Sequence, residues 1–311
     1  MIQVRGLTKR YGDKIAVDDI TFDVLPGRVT GFLGPNGAGK STTMRAIVGL
    51  DRPTAGTVTI DGKSYADLDA PLTKVGALLE ARATHPGRSA ANHLAFLAAA
   101  SGIRRSRVDE VLALVGLTEV AGNRANGYSL GMGQRLGIAA ALLGNAPTLL
   151  FDEPVNGLDP EGIIWVRNLL KGLAQEGRTV LISSHLMAEM ALTADHLIVI
   201  GRGRLIADTT VENFVTTAGT DDVLVRTPDT GELRRALIAR GASITDEPDG
   251  ALVVRRMHVE EVGRLAAETR TVLYELTPRR ASLEEAFMEL TKDSLEYTGG
   301  VTAAAGTAVA S

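Results

Sequence analysis

The run Gly34-Pro35-Asn36-Gly37-Ala38-Gly39-Lys40-Ser41 constrains this chain more than any other stretch. It follows a short apolar segment, residues 29–33, that reads as a strand, and it precedes a helical segment, residues 41–50. The glycines let the backbone wrap with its amides turned inward, and the helix offers its positive N-terminal end. Such a loop cradles phosphates. Lys40 adds a point charge for the β and γ phosphates, and the Ser41 hydroxyl is a ligand for Mg²⁺. A purely structural glycine turn needs neither residue. Kinases, GTPases, helicases and many motors share this loop, so the class must come from other motifs.

The 311 residues exceed a typical single core, which predicts one large domain and a smaller appendage. The formal net charge is −4 and no run of five or six like charges occurs, so nucleic acid is not an expected partner. With no cysteine, disulfides, thiolate zinc sites and iron–sulfur clusters are excluded. Apolar stretches such as 136–143 and 197–200 fall far short of the roughly 18 residues that a membrane span needs. The first residues read as a strand rather than a signal peptide, and a cytoplasmic location is the expectation.

Strands are expected at 2–4, 21–24, 29–33 and 57–60, and a helical insertion from 90 to 125, where Val108, Val111, Leu112 and Val115 share a face. Apolar runs at 149–151 and 180–183, each preceded by helical sequence, predict a parallel sheet covered by helices. Residues 197–200 and 205–207 read as a hairpin that closes this α/β domain near residue 215. Beyond it come strand 223–226, helix 232–240, strands 243–245 and 252–254, helix 259–269 and strand 272–276. That βαββαβ order predicts a small ferredoxin-like domain. Ser282-Leu283-Glu284-Glu285 fits a capping box that opens a last helix through residue 290.

Thr148-Leu149-Leu150-Phe151-Asp152-Glu153-Pro154 is an apolar strand ending in two acids, whose side chains face opposite ways and can divide labour. Asp152 would serve Mg²⁺. Glu153 would orient and deprotonate a water attacking the γ-phosphate.

Upstream lies Tyr128-Ser129-Leu130-Gly131-Met132-Gly133-Gln134-Arg135, ahead of an apolar helix, and here the sequence resembles the ABC ATPase family. Ser129 and Gly131, with Gly133 beside them, match the signature loop that in the family contacts ATP held by the opposite subunit. Leu130 and Met132 stand where the signature more often has Gly and Gln. Asn156-Gly157-Leu158-Asp159 resembles the D-loop that crosses the dimer seam, and Ser184-His185 resembles the switch histidine that senses the γ-phosphate. Tyr11 matches the aromatic on which the family stacks adenine, with Ala16 and Val17 as the apolar wall beside it. After Val75-Gly76-Ala77-Leu78-Leu79, Glu80 occupies the position of the Q-loop glutamine and can approach Mg²⁺ or its waters. Glu at that place is similar to a subgroup of bacitracin, lantibiotic and anthracycline exporters, whose chains also carry a C-terminal extension.

The resemblance implies an ATP-binding and hydrolysing subunit of a transporter. Its fold would be an α/β P-loop NTPase domain with a helical subdomain, plus a small α+β ferredoxin-like C-terminal domain. Residues 1–217 would be the ATPase domain, with the helical subdomain at about 84–145, 218–292 the accessory domain and 293–311 a disordered tail. ATP and Mg²⁺ would bind at Tyr11, Val17, Gly34, Pro35, Asn36, Gly37, Ala38, Gly39, Lys40, Ser41 and Thr42, with Ser41, Asp152 and Glu80 toward the metal. Lys40, Glu153 and His185 would carry the chemistry, and Ser129, Gly131, Gly133 and Asp159 would serve the partner's nucleotide. The implied partners are a second copy and an integral membrane permease, on the inner face of the cell membrane. The competing class is a soluble ABC ATPase of translation or DNA repair, but coiled-coil, zinc or iron–sulfur insertions are lacking.

Other residues carry plainer readings. His85, His93, His196 and His258 read as surface or loop histidines, Trp165 as packing, and Asp195 and Asp208 as solvated turn positions. Arg82, His85, Pro86 and Asn92 are candidates for the groove that receives a permease helix.

Overall fold

The chain opens with two long strands, β1 (Ile2–Tyr11) and β2 (Lys14–Val24), whose alternating buried residues mark half-covered antiparallel pairing. Then come β3 (Val29–Leu33), α1 (Lys40–Ile47) and β4 (Ala55–Ile60), and β4 pairs with the free side of β1 to give the order β2-β1-β4. The computed structural model describes residues 1–80, 84–85, 87–218, 222–279 and 282–291. Arg82, Pro86 and the expected tail at 293–311 lie outside the described residues.

After β5 (Val75–Leu78) the chain forms α2 (Ala90–Ala100), α3 (Ser106–Leu114) and α4 (Leu130–Leu142). It then runs through β6 (Thr148–Phe151), α5 (Pro160–Gln175), β7 (Thr179–Ser183), α6 (Met187–Thr193) and the hairpin β8 (His196–Gly201) and β9 (Arg204–Thr210). These strands make a six-stranded sheet, β5-β6-β7-β3-β8-β9, parallel except for β9. Every residue of β3, β6, β7 and β8 is buried, as expected for strands covered on both faces. Glycine sets the closeness of the covering helix α4. A Cβ at Gly137 would lie 2.5 Å from Leu78 Cδ1, and one at Gly76 would collide with the Ala141 carbonyl.

His196 differs from its sequence reading. It is buried on β8, and its Nε2 lies 2.5 Å from Asp208 Oδ1 on the neighbouring strand. Asp195 is likewise no free turn residue, since its carboxylate accepts from the Val29 N–H at 2.8 Å and so anchors the start of β3. Pairing of β8 with β9 explains the first contact and pairing of β8 with β3 the second, and one-dimensional spacing shows neither. The Arg135 guanidinium sits 4.9 Å from the centre of the Trp165 ring, which packs on the core.

After α7 (Val211–Ala218) come β10 (Asp222–Arg226), α8 (Gly231–Ala239), β11 (Ser243–Asp246), β12 (Leu252–Arg255), α9 (Val259–Glu268) and β13 (Glu275–Arg279). The order β11-β12-β10-β13, all antiparallel, is that of a ferredoxin-like βαββαβ sheet with its own core. The last strand lies three residues later than the expected 272–276, and Val272 is left exposed. Pro278 does not end it, because β13 is an edge strand and tolerates a missing donor on its outer side.

The last helix, α10 (Leu283–Thr291), returns to the first unit. Its capping box forms reciprocally: Glu285 N–H donates to Ser282 Oγ at 3.1 Å, and Ser282 N–H to Glu285 Oε2 at 2.7 Å. Leu283, Ala286 and Phe287 join the core that contains Phe214 and Met190, so this helix packs on α7 and α6. Phe287→Ala should therefore cost the first unit about 3–5 kcal/mol. Trp165, the single tryptophan, lies in that unit, and its emission in a urea titration should report the earlier transition.

Candidate functional site

Three neighbouring strands of the central sheet end at one level, with Phe32 of β3 beside Ser183 of β7 and Phe151 of β6 beside Ile182. From their carboxyl ends β3 runs into the glycine loop, β6 into Asp152 and Glu153, and β7 into Ser184 and His185. Parallel sheets place ligands at these ends.

Gly37 and Gly39 take φ values of 81° and 106°, which glycine alone adopts without cost. A Cβ at Gly39 would stand 2.6 Å from the Ala16 carbonyl oxygen, so the loop lies directly on β2. Lys40 begins α1 and is buried. Its Nζ donates to the Gly34 carbonyl at 2.5 Å and the Pro35 carbonyl at 3.2 Å. Burial lowers its pKa, while the carboxylates of Glu153 and Asp152 oppose that shift.

Asp152 is held from two sides. Ser41 Oγ donates to its Oδ2 at 2.8 Å, and Ser183 Oγ donates to its Oδ1 in a short bond. The same Ser183 oxygen accepts the Glu153 N–H at 3.0 Å. Glu153 has φ +51°, an unusual backbone for a residue with a side chain. Its Oε2 accepts from His185 Nδ1 at 2.8 Å and from the His185 N–H at 3.3 Å. A ring nitrogen that faces a carboxylate carries its proton, so this contact fixes the imidazole tautomer.

An open cleft of about 410 Å³ lies over these groups. Tyr11, Ala16, Pro35, Asn36, Gly37 and Gly39 line one part, and Lys40, Ser41, Thr42, Asp152 and Glu153 the other. Lys14, which sequence reading missed, also lines it. Tyr11 stands half exposed at the rim. Its hydroxyl donates to Asp51 Oδ2 at 2.8 Å, and Arg45 binds the same oxygen and holds the Asp51 carboxyl below its usual range.

Several expected residues sit elsewhere. Val17 is fully buried beneath the loop, so its side chain supports the cradle and does not line the cleft. The bulged pairing of β1 and β2 between Leu7 and Arg10 changes which side chains face inward there. Ala38 is buried in the same core, and Gly34 sits against the Ile200 carbonyl. Glu80 is exposed and does not belong to the cleft wall, although Asp152 N–H donates to Leu78 O only two residues away.

The cleft wall also lacks Ser129, Gly131, Gly133 and Asp159. Ser129 caps α4 by accepting the Met132 N–H at 3.2 Å, and Asp159 caps α5 by accepting the Gly162 N–H at 2.8 Å. Leu130 leans on Gly157, where a Cβ would collide with it, so the Ser129 helix tip and the loop at residues 156–159 pack together within one chain. In the candidate groove, His85 Nδ1 accepts the Gly87 N–H and Asn92 N–H donates to Ser89 Oγ at the start of α2. Sequence reading also missed Ser183. Its signal was a polar residue closing an otherwise apolar buried strand.

Among the described residues no group of three or more His, Cys, Asp or Glu could hold a metal. The touching oxygens of Ser41 and Asp152 suit Mg²⁺, which takes one or two protein ligands and completes its shell from phosphate and water. No helix among the described residues is long and apolar enough to cross a membrane.

Ser183→Ala would remove the hydroxyl that joins Asp152 to the Glu153 amide and should cost about 1–3 kcal/mol in urea unfolding. Ser183→Thr, which keeps the hydroxyl, should lose much less.

A family profile described as ABC transporter matches residues 17–156, and one described as a domain of unknown function matches residues 221–284. The uncharacterized ABC transporter ATP-binding protein YhcH of Bacillus subtilis is 35% identical over 95% of this chain and 97% of its own. The daunorubicin resistance ATP-binding protein DrrA3 of Streptomyces coeruleorubidus is 33% identical over 94% and 96%. The bacitracin transport ATP-binding protein BcrA of Bacillus licheniformis is 40% identical over 67% and 69%. A solved dimeric structure of a post-hydrolysis state of the ATP-binding cassette MJ0796, bound to ADP and Pi, aligns with a TM-score of 0.63. It is 27% identical and covers 68% of this chain and 99% of that one.

Proposed function

The chain belongs to the ATP-binding proteins of ABC transporters, a family of ATPases, and on that premise we propose how its residues hydrolyse ATP and what the hydrolysis drives. The supporting observation is the meeting of Lys40, Ser41, Asp152, Glu153 and His185 at the ends of three adjacent parallel strands.

Adenine stacks on Tyr11, whose ring is held upright by Asp51 and bounded by Ala16. The amides of residues 36–42 and the N-terminal end of α1 take the phosphates, and Lys40 supplies positive charge to the β and γ groups. Ser41 and Asp152 would hold Mg²⁺, which would supply positive charge to the phosphate oxygens. Glu153 accepts a proton from the attacking water. His185, whose Nδ1–H donates to the Glu153 carboxylate, keeps that carboxylate oriented, and would turn its proton to the γ-phosphate only on leaving Glu153.

Ser129 and Gly131 lie on an exposed helix tip outside this cleft, which supports their use on the nucleotide of a second copy. Two copies packed head to tail would then share two ATP molecules, closing with ATP and opening after hydrolysis. The motion would be delivered to a separate membrane permease at the cytoplasmic face. The relatives that serve bacitracin transport and daunorubicin resistance support export of antibiotics or drugs. They favour this reading over a role in translation or DNA repair.

Glu153→Gln tests the assignment. Phosphate release should fall by roughly 10²–10⁴-fold, the usual share of a general base, while ATP still binds. Turnover at the normal rate would remove Glu153 from its role.

A further inference from the structure

Gln134 is a buried polar side chain, 2% exposed, on the otherwise apolar inner face of α4. A buried amide needs partners. Its Nε2 donates to the backbone carbonyl of Glu153 at 2.9 Å, nineteen residues along the chain. That carbonyl also accepts the Asn156 N–H at 3.2 Å. On the other side of the same residue, the Glu153 N–H is held by Ser183 Oγ. Glu153 keeps its left-handed backbone, φ +51°, between these holds. A residue in a sparsely populated conformation persists only where its surroundings over-determine it.

We propose that Gln134 is a positioning residue for hydrolysis: it fixes the peptide of Glu153, and through it the direction of the carboxylate, from the helix that carries Ser129. The proposal rests on the reading of Glu153 as the base. The carrier is stiff, because Gly137 and Gly76 let α4 lie against β5 with no room for a Cβ. Gln134 stands five residues, or about 7.5 Å of helix rise, from the Ser129 cap. The tip that would meet the partner's triphosphate and the peptide that aims this chain's own base therefore move as one body. Leu130, seated on Gly157, ties the D-loop to the same tip.

The chemistry limits which side chains would serve. Methionine has nearly the same length and volume but no strong donor, and glutamate presents an oxygen to the carbonyl. Steady-state hydrolysis by the full chain with Mg-ATP should show Gln134→Met and Gln134→Glu with kcat lowered roughly ten- to a hundredfold, as expected for a misplaced catalytic group. KM and the affinity for a non-hydrolysable ATP analogue should stay within about twofold. Adding Gln134→Met to Glu153→Gln should cause no further loss, because the group it aims is already gone. A Gln134→Met chain that keeps its full kcat would overturn the proposal and leave Gln134 as filling. So would a fall in kcat no larger than the fall in folded fraction seen by Trp165 emission, or losses that multiply in the double variant. If Glu153→Gln itself turns over normally, the base assignment fails first. If Glu153→Gln is inactive and both Gln134 variants are normal, only the positioning role fails.

Discussion

Everything in the first unit is arranged around the level at which β3, β6 and β7 stop. Up to that level the three strands are fully buried and hydrogen-bonded to one another. Beyond it the backbone must turn away from the sheet, and its polar groups and acids must find other partners. The glycine loop solves this within itself, with Ala38 N–H and Lys40 Nζ donating to its own carbonyls, and Asp152 with two hydroxyls. Glu153 does so with a left-handed turn held at both ends of its peptide. The cleft therefore sets two carboxylates beside a buried lysine.

The same level connects distant parts of the chain. Ser183 joins the end of β7 to the end of β6, so the strand that leads into His185 also sets the acids. Helix α6 begins two residues after His185. Its Met190 lies against β3 so closely that a Cβ at Gly31 would stand 2.5 Å from the sulfur. Helix α10, which follows the ferredoxin-like sheet, packs on α6. The C-terminal segment is thereby in contact with the helix that follows His185, although its sheet has a separate core.

Much of the layout of the site was legible because it depends on residue types at fixed local spacing. The glycine loop and the two acids after an apolar strand line one cleft, and the histidine after the next strand reaches it through its bond to Glu153. What escaped reading was set by pairing across the fold. Val17 looked like a wall residue, but the bulged β1–β2 ladder buries it. His196 and Asp208 find each other only because β8 and β9 are in register. Gln134 stands in the run ahead of an apolar helix and Ser183 in a segment that reads as strand, and both reach Glu153, nineteen and thirty residues away. The strand at 272–276 shifted to Glu275–Arg279 because its ladder with β10, rather than its apolar run, sets the position.

The central claim is that one nucleotide is gripped by two copies, by the glycine loop of one and the Ser129 tip of the other. The absence of cysteine makes this directly measurable by introduced thiols. One preparation would carry Asn36→Cys and the other Ser129→Cys, both with Glu153→Gln, and the two would be mixed under mild oxidant. With Mg-ATP a disulfide-linked dimer joining the two different variants should form, and without nucleotide it should not. Failure to cross-link with Mg-ATP, or equal cross-linking with and without it, would contradict the account.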